Sequence, residues 1–339
     1  MTATPPRLTI AMGDPAGISP ELLAKLLSRT ELLALAAVTV IGDRRVLALG
    51  ERAAGVALDI ETAGGFDKAV AMPGKPVFVD LRHLDPATIP MAEATAEGGK
   101  FAMRNFGEAL TAAKAQRFDG VMFTPFNKLA FKRAGNPYPD EIRWAADLLG
   151  WNGVCSEYNK LDELWNARVT SHEPLRDVAD LLTQERIVAS IAATDETLRK
   201  AGVAQPRIAV AGLNPHAGEG GLFGREEIDV IAPAVATAAK KGFAVEGPFP
   251  ADTVWLRARR GDYDVVVSMY HDQGQIALKL LGFERGVTIL GGMPVPITTP
   301  AHGTAYDIQG KGIADPSATI QAFRTLVMLA GRDGARAVA

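Results

Sequence analysis

The sequence predicts an α/β fold in which strands and helices alternate in layers. Short apolar runs bounded by turn residues recur along the 339 residues, and amphipathic segments separate them. Three of the strand-like runs lead into a histidine, and active-site turns of α/β proteins follow the carboxyl ends of strands. The predicted strands are 7–12, 37–42, 76–80, 120–124, 166–171, 206–211, 265–270 and 287–290. The predicted helices are 20–28, 44–54, 92–116, 140–149, 183–201, 225–241, 273–281 and 317–330.

The first strand and helix are joined by a tight turn. Residues 7–12 form a short apolar run, and Pro20 suits the start of helix 20–28 because its missing N–H has no helical partner there. In the intervening turn Asp14 is a candidate functional residue, although an aspartate that accepts from local backbone N–H groups is the simpler interpretation. His83 follows strand 76–80 in a proline-bearing loop without other ligand-type residues nearby, so we expect no catalytic role for it.

The middle of the chain suggests a domain crossing. Helix 92–116 has apolar side chains at helical spacing that predict one buried face. Strand 120–124 ends in a polar cluster with Lys128, which is either a ligand contact or a plain surface charge. A turn-rich segment, 134–139, then leads into helix 140–149. The predicted domains are 1–128 with 290–339, and 129–289.

A glycine-rich turn, GLNPHAGEGGLFG at 212–224, is the most distinctive stretch of the second half. It places His216 after strand 206–211 and before helix 225–241. Its glycines permit positive φ angles and close approach of a ligand, and the first turn of the helix offers free N–H groups. A plain glycine-rich connection is the alternative.

Three histidines that follow predicted strands form a candidate metal site: His172, His216 and His271. Neutral imidazole binds zinc, manganese, cobalt or nickel, and three protein ligands leave positions open for substrate or water. Their separation in sequence means that only the fold, or a dimer, can bring them together. The alternative is that each histidine has a structural role.

Ionisable residues near these histidines strengthen the prediction. Asp272 adjoins His271, and Asp252 lies in the segment GPFPADT. Either aspartate can orient a ligating imidazole through its second nitrogen. Lys279, two helical turns after His271, can bind an anionic substrate group or relay a proton, or it can be a solvated surface residue.

Bulk composition excludes several classes of protein. With 47% hydrophobic and 22% charged residues, a net charge of −3 and a pI near 6.0, the chain is typical of globular proteins and has no basic run for nucleic acid. The longest apolar run, 32–42, is too short for a bilayer, and the start lacks a secretory signal. The single cysteine, Cys155, fits a cytoplasmic location. The phosphate-loop, GxGxxG, HExxH and GxSxG patterns are missing from the sequence.

Seven segments in a fixed order carry a family resemblance: GDPAGISPEL, SHEPLRDV, GLNPHAGEGG, GREEID, GPFPADT, MYHDQG and GFERGV. Together they resemble the 4-hydroxythreonine-4-phosphate dehydrogenase family. The resemblance implies an isocitrate-dehydrogenase-like, two-domain α/β/α fold rather than an ordinary Rossmann domain. It also implies a homodimer with the active site in the cleft and at the dimer interface, with most metal ligands in the second domain. A divalent metal (Zn, Mn, Co, Ni or Mg) would bind His172, His216 and His271, one of them donated by the partner subunit.

The implied activity is oxidation of a secondary alcohol by NAD or NADP, followed by loss of carbon dioxide from the resulting β-keto acid. By the same resemblance Lys279 contacts substrate, and Asp252 and Asp272 occupy acidic positions of the catalytic surroundings. No residue of the sequence is assigned to the nicotinamide cofactor.

Departures from the family pattern fall at substrate contacts. Where the family has a GHTE-type segment that holds the substrate phosphate, this chain reads PDEIR at 139–143. Asp140 and Glu141 would repel a phosphate dianion, and Arg143 would compensate in part. Thr288 stands at the family's substrate asparagine and Ile297 at its substrate arginine.

These changes predict a paralogue that keeps the reaction and takes another small hydroxy acid, including an unphosphorylated one, as the dihydrodiol carboxylate dehydrogenases do. One alternative is the true vitamin B6 enzyme with a remodelled phosphate site. The other is a non-catalytic protein that binds a small acid or a metal.

Overall fold

The computed structural model describes residues 4–138, 140–153 and 155–331. No helix in these ranges is long and apolar enough to cross a membrane. The strands are β1 (Arg7–Ala11), β2 (Ala37–Gly42), β3 (Glu61–Ala63), β4 (Val77–Asp80), β5 (Gly120–Phe123), β6 (Ser156–Leu161), β7 (Leu164–Arg168), β8 (Ile208–Ala211), β9 (Val245–Phe249), β10 (Val265–Ser268), β11 (Val287–Gly291) and β12 (Ile297–Pro300). The helices are α1 (Ser19–Leu27), α2 (Thr30–Leu33), α3 (Arg44–Ala54), α4 (Ala96–Lys114), α5 (Lys128–Arg133), α6 (Glu141–Leu149), α7 (Val178–Leu181), α8 (Gln184–Lys200), α9 (Ala232–Lys240), α10 (Ala251–Arg259), α11 (His271–Gly282) and α12 (Ser317–Ala330).

The chain divides into two compact units, which we call the first unit (Met1–Cys155 with Met293–Ala339) and the second unit (Ser156–Gly292). The sequence placed the first crossing after residue 128, whereas this division falls after Cys155. The two boundaries differ because α5 and α6 pack against α4, with the Trp144 ring centroid 5.6 Å from that of Phe106. The chain re-enters the first unit at Met293, close to residue 290, where the sequence predicted that the first domain resumes.

The first unit contains a parallel sheet with the strand order β3-β4-β2-β1-β5-β12. Its central strands are buried along nearly their whole length, as expected for a parallel sheet with helices on both faces. The turn after β1 contains Asp14, which accepts hydrogen bonds from the Ala16 N–H at 2.8 Å and the Tyr306 hydroxyl at 2.6 Å. The local backbone bond agrees with the simpler interpretation of Asp14.

The second unit contains a mixed sheet with the strand order β11-β6-β7-β10-β8-β9. Strand β6 is antiparallel to both β11 and β7, and the remaining pairs are parallel. The turn between β6 and β7 includes Asp162 at a positive φ of 51°. The sequence did not predict β6, β9 or the β6–β7 hairpin; the hairpin turn lacks glycine, and four of the six side chains of β6 are polar.

Side-chain caps set the beginning of several helices. Thr95 accepts from the Gly98 N–H and starts α4 at Ala96, four residues later than predicted. Asp140 accepts from the Arg143 N–H and starts α6. The predicted helix 225–241 contains a π-helical turn, Glu227–Ile231, followed by α9. A π turn inside a helix often marks a functional site.

His83 lies in the first unit, where its ring stacks on Phe101 with centroids 4.6 Å apart and planes 10° apart. Burial, aided by the positive charge of Arg104, lowers the pKa of His83 below its ordinary value of 6.5. The imidazole is therefore kept neutral in the folded state. Contacts of this kind agree with the expectation that His83 is structural.

Replacing His83 with phenylalanine should make stability less sensitive to acid. Below pH 6.5 the unfolded chain takes up a proton that the folded state resists, so wild-type stability falls as pH falls towards the lowered folded-state pKa. His83→Phe keeps the stack on Phe101 and removes this proton uptake. Melting temperatures between pH 5 and 8 should fall less steeply for the variant, and His302, whose pKa burial also lowers, contributes to the remaining slope. Parallel curves for both proteins would contradict the assignment.

Candidate active site

Three neighbouring parallel strands of the second unit lead to the three predicted histidines. Strands β7, β10 and β8 lie side by side, so their carboxyl ends share one edge of the sheet. His172 follows the end of β7 by four residues, His271 follows β10 by three and His216 follows β8 by five. In open α/β sheets this edge is where ligands bind.

His172 and His271 are brought together at this edge, with ring centroids 5.6 Å apart. His271 is the first residue of α11, and its Nδ1 lies 2.7 Å from Asp272 Oδ1. A carboxylate on Nδ1 favours the tautomer that leaves the Nε2 lone pair for another partner. Both histidines border a cavity of ≈ 340 Å³. Its other lining residues are Ser171, Glu173, Leu175, Val178, Tyr270 and Asp272.

His216 lies in a separate turn of unusual backbone conformation. It is the first of six consecutive residues with positive φ, and its own φ is 55°. Left-handed conformations are costly for residues with a side chain, and three of the six, His216, Ala217 and Glu219, are not glycine, so the turn requires strong local support. The ring of His216 is exposed and packs against Phe223, with centroids 5.9 Å apart.

The support for this turn is the buried carboxylate of Glu227, in the π-helical turn. Glu227 Oε1 accepts from the backbone N–H groups of Leu213 and Asn214, each at 2.7 Å, and Oε2 accepts from Asn214 Nδ2 at 3.0 Å. Glu226 also accepts from Asn214 Nδ2, at 2.6 Å. Sequence reasoning missed Glu227. The signal that could have revealed it was the adjacent acidic pair in GREEID, directly after a turn rich in unpaired backbone N–H groups.

The donors present in one chain fit part of a metal site. His172 and His271 would supply two ligands to a metal ion, and Asp272 sets the tautomer of His271 in the way that carboxylates orient ligating imidazoles. Within the described ranges, however, no group of three or more His, Cys, Asp or Glu side chains is arranged to hold a metal ion. The three-histidine site therefore stays a prediction, and His216 is not beside the other two in the single chain.

Lys279 and Asp252 lie away from the His172–His271 pair. Lys279 follows His271 by eight residues on α11, a rise of about 12 Å along the helix axis. Its ammonium group lies 5.3 Å from the ring centroid of Phe283. Asp252 is exposed in the first turn of α10, which packs against the turn that carries His216. Of the two predicted acidic residues, Asp272 thus contacts His271. Asp252 lies on the helix that packs against the turn of His216.

The predicted substrate segment at 139–143 is the start of α6 in the first unit. Asp140 is buried and caps this helix, accepting from the Arg143 N–H at 2.9 Å, while the Arg143 side chain is exposed. Glu141 is the first helical residue, and Pro139 lies outside the described residues. The Asp140 carboxylate thus occupies the N-terminus of α6, a position at which negative charge is stabilised.

The fourth predicted substrate residue, Thr288, is buried, as is Ile297, which stands where the family has its substrate arginine. The Thr288 hydroxyl accepts from Asn159 Nδ2 at 3.1 Å, and Gln275 on α11 donates to Asn159 Oδ1 at 2.7 Å. Ile297 is fully buried in the first unit, where it pairs with Val121. Thr288 therefore belongs to a polar network on the sheet of the second unit, and Ile297 to an apolar core.

Replacing Glu227 with glutamine should destabilise the turn that carries His216. The amide would lose the charge that binds two backbone N–H groups and would point an N–H₂ group at Asn214 Nδ2. We expect a loss of about 1–3 kcal/mol in the free energy of unfolding, together with weaker binding of Zn²⁺. Denaturant unfolding and zinc titration would measure both effects. Glu226→Gln is the matched control, since Glu226 contacts only the Asn214 side chain among these groups. Equal losses in the two variants would contradict the role of Glu227.

Comparison with known proteins gives the same family as the sequence motifs. Residues 34–326 match the family described as "Pyridoxal phosphate biosynthetic protein PdxA". The chain is 55% identical over 327 residues to "Putative 4-hydroxythreonine-4-phosphate dehydrogenase 2" of Rhizobium meliloti, covering 96% of this chain and 93% of that one. It is 39% identical to the D-threonate 4-phosphate dehydrogenase of Cupriavidus necator, covering 96% and 98%.

Solved structures extend the comparison to the fold. The 4-hydroxythreonine-4-phosphate dehydrogenase of Klebsiella pneumoniae superposes with a TM-score of 0.83 at 36% identity, covering 98% of this chain and 100% of that one. A terephthalate 1,2-cis-dihydrodiol dehydrogenase of Burkholderia xenovorans gives 0.65 at 29%, covering 95% and 98%. A β-decarboxylating dehydrogenase of Thermococcus kodakarensis gives 0.51 at 15%, covering 97% and 84%, which shows the fold alone. The predicted isocitrate-dehydrogenase-like α/β fold is confirmed, and the chain belongs to the PdxA family of pyridoxal phosphate biosynthetic proteins.

Proposed function

We propose that this PdxA family member is a metal-dependent, NAD- or NADP-linked dehydrogenase that oxidises a secondary alcohol of a hydroxy acid. Relatives of the chain are named dehydrogenases, so the chain is an oxidoreductase; the cofactors and the substrate are the proposal. The observation that carries it is the pair His172 and His271, oriented by Asp272, beside a cavity at the carboxyl ends of parallel strands.

The residues of the chain have distinct roles in this proposal. His172 and His271 would hold the divalent ion (Zn, Mn, Co, Ni or Mg), with His216 as the third ligand. A bound divalent ion supplies Lewis-acid stabilisation of negative charge on the substrate oxygen. Asp272 fixes the tautomer of His271, and Lys279 binds an anionic group of the substrate or moves a proton. Where the product is a β-keto acid, loss of carbon dioxide follows the oxidation.

A homodimer with a shared site is part of the proposal, and exposed apolar side chains support it. Ile276 and Leu280 on α11, and Phe283 just after it, are 59%, 83% and 43% exposed at helical spacing. Leu222 is 74% exposed beside the turn that carries His216. Grouped apolar side chains on a protein surface are typical of an interface. In this proposal one of the three histidines is donated by the partner subunit, and we assign that role to His216, which lies in a separate turn.

A mixed dimer of two inactive variants tests the shared site. His271→Ala and His216→Ala should each abolish metal-dependent turnover while leaving the fold intact. In a dimer of one chain of each, one site carries both substitutions and the other carries none. Equal co-expression should therefore restore about a quarter of the wild-type activity. Activity no higher than that of the separate variants would show that the three histidines do not come from two subunits, and a variant with parental zinc content would contradict its ligand role.

The substrate proposal rests on the altered phosphate contacts. The names of relatives include 4-hydroxythreonine-4-phosphate, D-threonate 4-phosphate and a cis-dihydrodiol as substrates of those proteins. In this chain the Asp140 carboxylate occupies the helix N-terminus at the predicted phosphate segment, and Ile297 is an apolar core residue. We therefore favour a hydroxy acid other than 4-hydroxythreonine-4-phosphate, including an unphosphorylated one. The vitamin B6 enzyme with a remodelled phosphate site is the second candidate, and a non-catalytic small-acid or metal-binding protein is the third.

An assay of cofactor reduction distinguishes these candidates. Protein loaded with Zn²⁺ or Mn²⁺ would be mixed with NAD or NADP and, separately, 4-hydroxythreonine-4-phosphate, D-threonate 4-phosphate, D-threonate and a cis-dihydrodiol carboxylate. We expect faster turnover of a compound other than 4-hydroxythreonine-4-phosphate, because the phosphate contacts are altered. Highest kcat/KM for 4-hydroxythreonine-4-phosphate would favour the second candidate. Binding of these acids without cofactor reduction would favour the third, and carbon dioxide release would be followed in parallel.

A further inference from the structure

Arg168, the last residue of β7, is a buried cation with unused hydrogen-bond donors. Its side chain is 1% exposed, and its Nη2 lies 3.0 Å from Glu157 Oε1. The contact is an ion pair without hydrogen-bond geometry, and none of the three guanidinium nitrogens has a hydrogen-bond acceptor among the described residues. A guanidinium has five N–H donors in a planar fork, so one carboxylate at one corner leaves most of them unmatched.

The unmatched donors lie on the sheet face that α11 covers. Arg168 and Asn166 point to the same side of β7 because they are two residues apart on a strand. Asn166 Nδ2 also has no acceptor in the described part of the chain, and it contacts Gly274, where any larger side chain would collide with it. Gly274 belongs to the first turn of α11, three residues after His271. The two donors therefore lie beneath the helix end that carries a predicted metal ligand.

Two other arginines of the chain form structural ion pairs with which Arg168 can be compared. Arg199 places Nε and Nη2 on the two oxygens of Asp195, and Arg207 does the same with Asp264. Both of these arginine side chains are about half exposed, so their remaining N–H groups reach water. The Arg168 side chain is far more buried than those of Arg199 and Arg207, yet fewer of its N–H groups have an acceptor. Burial of unmatched charged donors is costly, so a purely structural role does not explain this arrangement.

We propose that Arg168 binds the carboxylate of the substrate, with Glu157 as the positioning residue that holds the guanidinium. The inference deepens the proposed function and rests on it. A carboxylate matches the planar fork with two parallel N–H···O bonds. The charges also favour it: Arg168 and Glu157 together are neutral, so a carboxylate adds one buried negative charge whereas a phosphate dianion adds two. Arg168 ends β7, the strand that leads to His172 four residues later, and Gly274 of the helix that begins with His271 lies against Asn166 on the same face.

Direct binding tests the inference without turnover. Calorimetric titration of the zinc-loaded protein would use D-threonate as the probe, its neutral amide as the uncharged analogue and inorganic phosphate as the other anion. We expect the wild-type protein to prefer D-threonate over the amide. Arg168→Met should weaken D-threonate binding about tenfold to a hundredfold and leave amide binding unchanged, since a hydrogen-bonded charge is lost. Arg168→Lys, which keeps the charge without the fork, should fall in between.

Several outcomes would overturn the inference. They are equal binding of D-threonate and its amide by the wild-type protein, wild-type affinity in Arg168→Met, or a loss in that variant confined to phosphate. Circular dichroism of the variants checks the fold, and the comparison of acid with amide on the unaltered protein stands if neither variant folds. Arg168-dependent binding without any cofactor reduction would retain the carboxylate subsite and reject the dehydrogenase proposal, so the two failures are distinguishable.

Discussion

The parallel pairing of β10 with both β7 and β8 is the constraint on which the candidate site depends. It sets Ser268 beside Arg168 and Val267 beside Val210, so that the three strands end at the same edge of the sheet. Each strand is short and buried, and the chain therefore leaves it through a turn at the sheet edge. The fold thus gathers groups from three distant segments of the sequence into one unit before any ligand is present.

Charged groups, rather than regular secondary structure, hold the turns at this edge. The residues from His216 to Gly221 have positive φ angles, and the Glu227 carboxylate binds the N–H groups at the base of this turn. Asp272 orients His271 in a comparable way. A π-helical turn at Glu227 changes the direction of that side chain relative to a regular helix. Irregular backbone in these two turns is typical of a functional site, where the position of a side chain matters more than the stability of the segment.

Much of the fold could be predicted from the sequence because it rests on local patterns. The apolar runs at β1, β2 and β5 and the amphipathic helices α3, α8 and α12 were predicted within a few residues. The observed start of a helix differs from the predicted one where a capping side chain sets the boundary, as Thr95 does for α4. Strand β6 and the antiparallel hairpin were missed because four of the six side chains of β6 are polar, and the strand is recognisable only from its pairing with β11 and β7 in the tertiary structure.

The candidate site was only partly predictable for a similar reason. Histidines that follow strands can be recognised in a sequence, and β7, β10 and β8 do lead to them. The pairing of His172 with His271, and the separation of His216 from both, depends on turn conformations that the sequence does not encode in a simple pattern. Arg168 was overlooked because nothing in the sequence distinguishes this buried charge from a solvated one.

The residues at two of the predicted substrate positions, Asp140 and Ile297, also serve the local structure. A helix N-terminus stabilises one anion well, and the Asp140 carboxylate already accepts from α6, so a phosphate there would meet a like charge as well as occupied donors. Removing Asp140 would also remove the cap of the helix. At Ile297 an arginine would have to be buried opposite Val121 without a partner, at a cost that exceeds one ordinary hydrogen bond. Asp140 and Ile297 are thus each embedded in the packing of their own element, so a change at either position would affect the fold as well as a ligand.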